Sequence, residues 1–311
     1  MDKKKFLSYE EQIKFLKEEK KLCIEDEDYA KKVLFKTGYF ALVNGYKETF
    51  KNPETNQFRT GVRMEDIYAL YCFDANLRNV FMKYILIVEQ NVKSSLSYHF
   101  CDLYGSEQQD YLNTDNYDYH GKKIPMIQGL QKIMSGQLRK DSDYAYIRHY
   151  MKQYGYVPLW VLFQVLTLGQ MSKVYASQKG RVKIKVCQDF GNIKINEMEK
   201  MLAVMTKFRN VCAHNDRLFD FRTKDAIYDM DIHQRMKITK EHGRYLYGKN
   251  DLFAQMLILK LLLSEEDFKD FYKELSNCFR KNPVNQNIYV QMGFPDNWRR
   301  IAGIKKFIDK K

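Results

Sequence analysis

Three side chains with complementary chemistry fall within six positions of one another in the segment KFRNVCAHNDRLF, residues 207–219. They are Arg209, Asn210 and His214. A histidine titrates near neutral pH and can accept or donate a proton. An arginine presents a permanent cation whose donors match phosphate oxygens and stabilise negative charge in a transition state. These residue types therefore predict chemistry on a phosphodiester bond.

The neighbours of the Arg209 and His214 pair fit the same chemistry. Asn210 lies four residues before His214, so on a helix it shares the face of the imidazole and is expected to fix its tautomer or to bind a phosphate. Arg217, just beyond the predicted helix end, supplies a second cation. Arg209 and His214 are five residues apart, about 140° around a regular helix, and do not form the i,i+4 face typical of metal ligands. We therefore expect no metal ion and no cofactor at this site.

Cleavage of RNA without a metal ion requires more groups than one Arg–His pair provides. It needs a base for the 2′-hydroxyl, an acid for the leaving 5′-oxygen and cations at the phosphate. Two copies of the segment facing each other across a twofold axis would supply all of these, so a homodimer is one expected assembly. A purely structural interpretation also stays open, because Arg and His are common near the negative end of a helix dipole.

Two long helices must position this segment. A Met-rich apolar helix is predicted over residues 196–214, and a longer one over residues 64–104, where no Pro or Gly interrupts an apolar pattern of helical period. Four charged residues of the longer helix fall on one narrow arc beside its apolar stripe: Asp74, Arg78, Glu89 and Lys93. This polar seam predicts either a solvated flank with i,i+4 ion pairs or the wall of a functional cleft, in which Glu89 orients a cation.

The rest of the chain also favours helices. Only 5 prolines and 15 glycines punctuate the 311 residues, which is typical of long helices rather than many short strands. A capping box at Ser8 starts a first helix, and residues 37–50 predict a short aromatic-rich helix broken by Gly45. Further helices are predicted over residues 27–36, 126–139, 142–153, 158–178, 181–190, 251–263 and 265–281. The expected fold class is all-α, a multi-helix bundle with one very long helix and additional N- and C-terminal helices.

The charge balance points to a polyanionic partner. The chain carries 52 Lys and Arg against 39 Asp and Glu, a formal net charge of +13, and nucleic acid is the usual partner of such a protein. A protein with a generally basic surface and no nucleic-acid partner would have the same net charge, so this alternative stays open. The six cysteines form no C-x-x-C pair, so neither a disulfide scaffold nor a zinc site is expected. The longest apolar run, residues 80–88, is too short to span a bilayer, and we expect a cytoplasmic protein without a membrane partner.

The segment RNVCAHNDRLF resembles the R-x4-H signature of HEPN-type ribonucleases, including a polar residue directly after the arginine. The surrounding sequence resembles the Abi-like family of bacterial abortive-infection proteins of the AbiD and AbiF type. Three further stretches carry that resemblance, and the whole similarity covers roughly residues 8–265. The stretches are TGYFALVNGYKETF (37–50), FDANLRNVFMKYILIVEQNVKSSLSYHF (73–100) and VPLWVLFQVLTLGQMSKVY (157–175).

The resemblance implies a helical bundle of HEPN type and a role in phage defence through RNA binding or cleavage. HEPN enzymes are metal-independent endoribonucleases that commonly act as dimers, in which paired Arg and His motifs build the site. Arg209 and His214 match the signature, and Asn210 matches its polar position. Glu89, Arg78 and Arg217 are supporting residues by our own inference. The expected domains are an N-terminal helical segment (1–62), an HEPN-like Abi core (63–265) and a C-terminal helical extension with a basic tail (266–311).

Three functions follow from these observations. The first is a metal-independent endoribonuclease toxin that acts by 2′-hydroxyl attack, with His214 as general acid and base and Arg209 stabilising the phosphorane. The second is a non-catalytic RNA-binding protein that forms a ribonucleoprotein. The resemblance to AbiF-like members implies a structured noncoding RNA as its partner, which would also restrain the toxin. The 23 tyrosines suit both, because aromatic rings stack on unpaired bases. The third is a helical scaffold for protein partners.

Overall fold

The computed structural model describes residues 5–282 and 286–305, and the regular secondary structure of this part of the chain is almost entirely helical. The all-α prediction is confirmed. The α-helices are α1 (Tyr9–Glu18), α2 (Glu27–Thr37), α3 (Met64–Tyr104), α4 (Gln108–Tyr111), α5 (Lys123–Gln137), α6 (Ala145–Gln153), α7 (Leu159–Leu162), α8 (Leu168–Ser177), α9 (Gly180–Asp189), α10 (Ile195–Ala213), α11 (Asp231–Arg235), α12 (Leu252–Leu262), α13 (Glu265–Lys281) and α14 (Gln286–Met292). Strands β1 (Lys240–Glu241) and β2 (Arg244–Tyr245) form one short antiparallel hairpin.

Helix α3 is the longest helix of the described residues and confirms the predicted long helix. It has 41 residues and is therefore roughly 60 Å long. At its start the backbone N–H of Arg63 donates to Asp66 Oδ2 at 2.8 Å, which satisfies one of the free groups of a helix end. It ends at Tyr104, and the next residue, Gly105, has a φ of +99°, in the left-handed region. A Cβ at Gly105 would lie 2.2 Å from Asp110 Oδ2, so glycine is required there.

The core is built around α3 and α12. Helices α9, α10 and α13 pack along α3, and α12 lies against α3 and α10. Every residue from Leu252 to Lys260 is buried, because α12 is apolar on nearly all faces and must be enclosed. Helix α13 is amphipathic instead, and its buried face meets α3 through ring contacts such as Phe271 with Phe81 at 5.2 Å.

Two predicted helices differ from the structure for local reasons. Residues 158–178 split into α7, a 3-10 turn at Phe163–Val165 and α8. The break occurs because Thr167 and Gln170 form a capping box, in which each side chain accepts the backbone N–H of the other. Residues 37–50 form a π-helical turn (Phe40–Asn44) and a 3-10 turn (Lys47–Thr49) in place of an α-helix.

The N-terminal and C-terminal segments share one core with the middle of the chain. Buried apolar side chains run as one cluster from Ile13 to Ile304. The predicted division of the chain at residues 62 and 265 stays a prediction. Part of the expected basic tail, residues 306–311, lies outside the described residues. All six cysteines are free thiols.

Candidate functional site at the end of helix α10

The last turn of α10 presents His214 to solvent. The helix ends at Ala213, and the backbone N–H of His214 still donates to the Asn210 carbonyl at 2.9 Å. Asn215 then adopts a left-handed φ of +58°, a conformation that asparagine tolerates better than most residues. The chain therefore turns sharply after α10, and the exposed imidazole of His214 lies at the helix end instead of along a regular helical face.

An open cleft of about 610 Å³ lies beside His214. One wall is residues 40–46, around the π-helical turn, and the other is residues 214–222, which follow α10. Arg217 joins the two walls, because its Nη1 donates to the Gly45 carbonyl while its Nε pairs with Asp220 Oδ1 at 2.7 Å. Burial raises the pKa of the Asp220 carboxyl, and Arg217 acts in the opposite direction. The cleft thus combines an imidazole, guanidinium groups, carboxylates and aromatic rings.

A buried carboxylate beneath the cleft holds both walls in place. Asp74 of α3 is fully buried, and its Oδ2 accepts hydrogen bonds from Tyr46 Oη at 2.7 Å and from Arg78 Nη1 at 2.6 Å. The backbone N–H groups of Leu218 and Phe219 also donate to Asp74, at 3.0 and 2.8 Å. We call this group the Asp74 clamp. Because Tyr46 belongs to one wall and Leu218 to the other, the clamp fixes the width of the cleft.

Arg209 faces α3 rather than the cleft. Its Nε lies 3.8 Å from Glu89 Oε2, close enough for an ionic attraction but too far for a hydrogen bond. Glu89 is buried, and its other oxygen, Oε1, forms an ion pair with Lys93 Nζ at 2.9 Å. The Arg209 side chain is 25% exposed, and Arg209 is not among the residues that line the cleft. The buried carboxylate of Glu89 therefore attracts the Arg209 guanidinium on its protein-facing side, and part of the Arg209 side chain stays open to solvent.

Charged groups elsewhere add no metal-binding cluster. Within residues 5–282 and 286–305, no group of three or more His, Cys, Asp or Glu side chains is placed to hold a metal ion. None of the described helices combines the length and apolarity that crossing a bilayer requires.

The sequence model of the Abi-like protein family matches residues 32–220, more than half of the chain. The chain belongs to the Abi-like protein family. The match includes α3, α10 and most of both cleft walls, and membership supports a role in abortive infection, a bacterial defence against phage. No curated protein and no solved structure matches the chain.

The predicted site residues of this Abi-like protein fall into three places. His214 and Arg217 line the cleft. Arg209 and Glu89 meet between α10 and α3. Arg78 is buried in the Asp74 clamp and also donates to the Asp216 carbonyl at 3.2 Å.

The side-chain amide of Asn210 makes no hydrogen bond to any described residue. The predicted contact between Asn210 and His214 is instead made by the backbone of Asn210.

The polar seam of α3 is buried, so its interpretation as a solvated flank is wrong. Asp74, Arg78, Glu89 and Lys93 are at most 6% exposed, although charged residues are rarely buried unless paired. The two i,i+4 ion pairs were visible in the sequence, but their burial was not. Sequence analysis also missed Phe40 and Tyr46 as cleft residues. The aromatic segment TGYFALVNGYKETF was the available signal for both.

Proposed function

We propose that this Abi-like protein binds RNA and cleaves it, without a metal ion, at the end of α10. The observation that carries the proposal is the exposed imidazole of His214 beside an open cleft whose wall contains Arg217. Arg209 adds a second guanidinium on the same last turns of the helix. The formal net charge of +13 favours a polyanion as the ligand.

In the proposed reaction the ribose 2′-oxygen attacks the neighbouring phosphorus. The bond from the 2′-oxygen to phosphorus forms and the bond from phosphorus to the 5′-oxygen breaks, which leaves a 2′,3′-cyclic phosphate and a 5′-hydroxyl. The proton of the 2′-hydroxyl passes to a base, and the 5′-oxygen receives a proton from an acid. His214 suits either role because an imidazole titrates near neutral pH.

Glu89 is the proposed positioning residue for Arg209. An arginine keeps its charge at all relevant pH values, so its usefulness depends on where the guanidinium points. Glu89 attracts the Nε edge of Arg209, and a quarter of the Arg209 side-chain surface stays open to solvent. That arrangement would direct Arg209 toward a phosphate at the helix end, where it would stabilise the charge of the phosphorane.

One chain supplies one such imidazole, whereas the reaction uses both a base and an acid. We propose that a second copy of the chain supplies the other His214 across a twofold axis. The exposed position of His214 at a helix end is compatible with this arrangement. The wild-type protein should then be dimeric at the concentrations at which it cleaves.

The test is RNA cleavage by purified protein in excess EDTA. Wild-type protein should produce fragments that end in a cyclic phosphate, and His214→Ala should lower the rate at least about 100-fold, the usual contribution of general acid–base catalysis. His149→Ala is the matched control, because His149 is also exposed and lies on α6, outside the residues lining the cleft. Equal rates for His214→Ala and wild type would remove His214 from the reaction.

A second candidate function is RNA binding without cleavage, as a ribonucleoprotein with a structured noncoding RNA. The observation that favours it is the position of Arg209, which faces Glu89 and does not line the His214 cleft. His214 and Arg209 lie on different surfaces. This arrangement favours RNA binding over cleavage, because cleavage requires both side chains at the same phosphate. This function predicts tight, salt-sensitive binding with no cleavage product, and each phosphate contact should steepen the salt dependence by about one unit of slope.

A further inference from the structure

The ring of Phe40 is exposed inside the cleft. Phe40 lines the cleft and is 79% exposed. The deeper rings differ from it, because Tyr46 and Tyr71 pack edge to face at 5.7 Å and Tyr46 is buried. The Phe40 ring makes no such contact with another aromatic ring of the described residues. Single exposed apolar side chains are common on protein surfaces, but Phe40 differs from Phe35 because its ring lines a polar cleft, where a ligand can reach it.

The backbone under Phe40 is anchored, so the ring has a defined position. Phe40 begins the π-helical turn that ends at Asn44, and such turns occur frequently at functional sites. Two other side chains of the turn, Leu42 and Val43, are 0% and 2% exposed and fix the turn in the core. Gly45 at the end of the turn accepts the hydrogen bond from Arg217 of the opposite wall. Phe40 therefore lies on an anchored turn whose end contacts the Arg217 guanidinium.

We infer that Phe40 stacks on the base of an unpaired nucleotide whose phosphate lies toward Arg217 and His214. A nucleotide satisfies the whole set of lining groups, because it combines a flat apolar face with an anion. The carboxylates of Asp216 and Asp220 can accept hydrogen bonds from the donor edge of a base. An apolar peptide would cover the Phe40 ring but would offer no anion to His214 and no hydrogen-bond donor to the Asp216 carboxylate.

The inference rests on the proposed RNA binding and adds the substrate class to it. An aromatic side chain stacks on a base only where the face of that base is uncovered, and in a duplex both faces are covered by neighbouring pairs. Single-stranded RNA, or the loop of a folded RNA, is therefore the ligand of this cleft. The stacking contact belongs to the N-terminal segment, outside the Arg209 to His214 motif.

The first experiment measures binding of a fluorescein-labelled single-stranded RNA and of the matching duplex, by anisotropy at one salt concentration. Every protein carries His214→Ala so that the RNA stays intact. Phe40→Ala should weaken single-strand binding on the order of 10-fold, the usual effect of losing one stacked base. Duplex binding should stay within about 2-fold. Phe35→Ala is the matched control, because Phe35 of α2 is 77% exposed but does not line the cleft.

The second experiment reports stacking directly. Phe40→Trp should bind single-stranded RNA about as tightly as the parent, because tryptophan also stacks, and its added fluorescence should be quenched on binding. The parent protein, with Trp160 and Trp298, supplies the background signal. Phe35→Trp should show no such quenching.

The possible results distinguish a failure of the proposed Phe40 stacking from a failure of the proposed RNA binding. Binding of single-stranded RNA that is weakened by Phe40→Ala supports the subsite, even if the protein never cleaves RNA. Binding that is equal in Phe40→Ala, Phe35→Ala and the parent overturns the subsite and leaves RNA binding intact. Equal losses in single-strand and duplex binding, or a Phe40→Trp signal that RNA does not quench, also overturn it. A parent protein that binds no RNA overturns the proposed function itself.

Discussion

Replacing Asp74 by asparagine keeps the shape of the side chain but removes the charge that faces Arg78. The Oδ2 atom of Asp74 accepts three hydrogen bonds, from Tyr46, Arg78 and Leu218, while Oδ1 accepts one, from Phe219. An asparagine has only one acceptor oxygen. If that oxygen takes the place of Oδ2, the amide group faces the Phe219 N–H, so at least one buried donor loses its partner.

The cost of Asp74→Asn is large because both partners of the ion pair are buried. Asp74 and Arg78 are 0% and 3% exposed, and Arg78 cannot lose its proton. Breaking a buried pair by neutralising one partner costs about 3–5 kcal/mol. Since domains are stable by about 5–15 kcal/mol in total, we expect the variant to unfold at clearly lower urea concentration, with its melting temperature lowered by roughly 5–15 °C.

The assay is urea unfolding at pH 7, with Asp102→Asn as the matched control. Asp102 lies on the same helix and is paired with Lys185 at 2.8 Å, but both side chains are largely exposed. That control should lose less than about 1 kcal/mol. Hydrogen exchange provides a local measurement, because the Leu218 and Phe219 amides should exchange faster in Asp74→Asn. A loss below about 1 kcal/mol, with unchanged exchange at these two amides, would refute the clamp.

Two further perturbations test the buried charges. Glu89→Gln removes the charge that faces Arg209, so it should lower both the rate of RNA cleavage and the free energy of unfolding, the latter by about 1–3 kcal/mol. Lys93→Met should preserve more of the cleavage rate, because Glu89 keeps its contact with Arg209; the opposite ranking of the two rates would contradict the positioning role. Separately, burial raises the pKa of the Asp251 carboxyl to about 6, whereas an unfolded aspartate titrates near 4. The folded state therefore holds this proton more tightly, and the stability it contributes is lost as the pH rises from about 4 to about 6, on the order of 3 kcal/mol. The asparagine in Asp251→Asn cannot titrate, so the free energy of unfolding of this variant in urea should fall less than that of the wild type between these pH values. An equal dependence on pH in the two proteins would contradict the raised pKa of Asp251.

The long helices could be predicted from the sequence because their signals are local. Residues 64–104 lack Pro and Gly and repeat apolar side chains with helical period, and the structure has a helix from Met64 to Tyr104. The capping box at Thr167 is equally local, but the apolar pattern of residues 158–178 continues across it and conceals the break. The spacing of apolar residues therefore predicts where a helix lies better than it predicts a break within that helix.

The arrangement of the site depends on contacts between distant parts of the chain. The approach of Arg209 to Glu89 depends on the register between α10 and α3, which neither helix specifies alone. The cleft requires residues 40–46 to lie against residues 214–222. The spacing of Asp74 and Arg78 revealed an ion pair, but their burial depends on the loop after α10 that covers them. The sequence therefore predicted candidate groups but could not place each of them on a surface of the fold.

The residues of the Asp74 clamp are also synthesised at widely separated times, so the clamp forms late in the synthesis of the chain. Tyr46 and Asp74 emerge from the ribosome early, whereas Leu218 and Phe219 follow much later in the chain. Because chains are made from the N-terminus and distant contacts form late, a growing polypeptide displays α3 before the second half of its cleft exists. A nascent chain that ends before residue 218 therefore lacks two of the donors to Asp74 and one wall of the cleft.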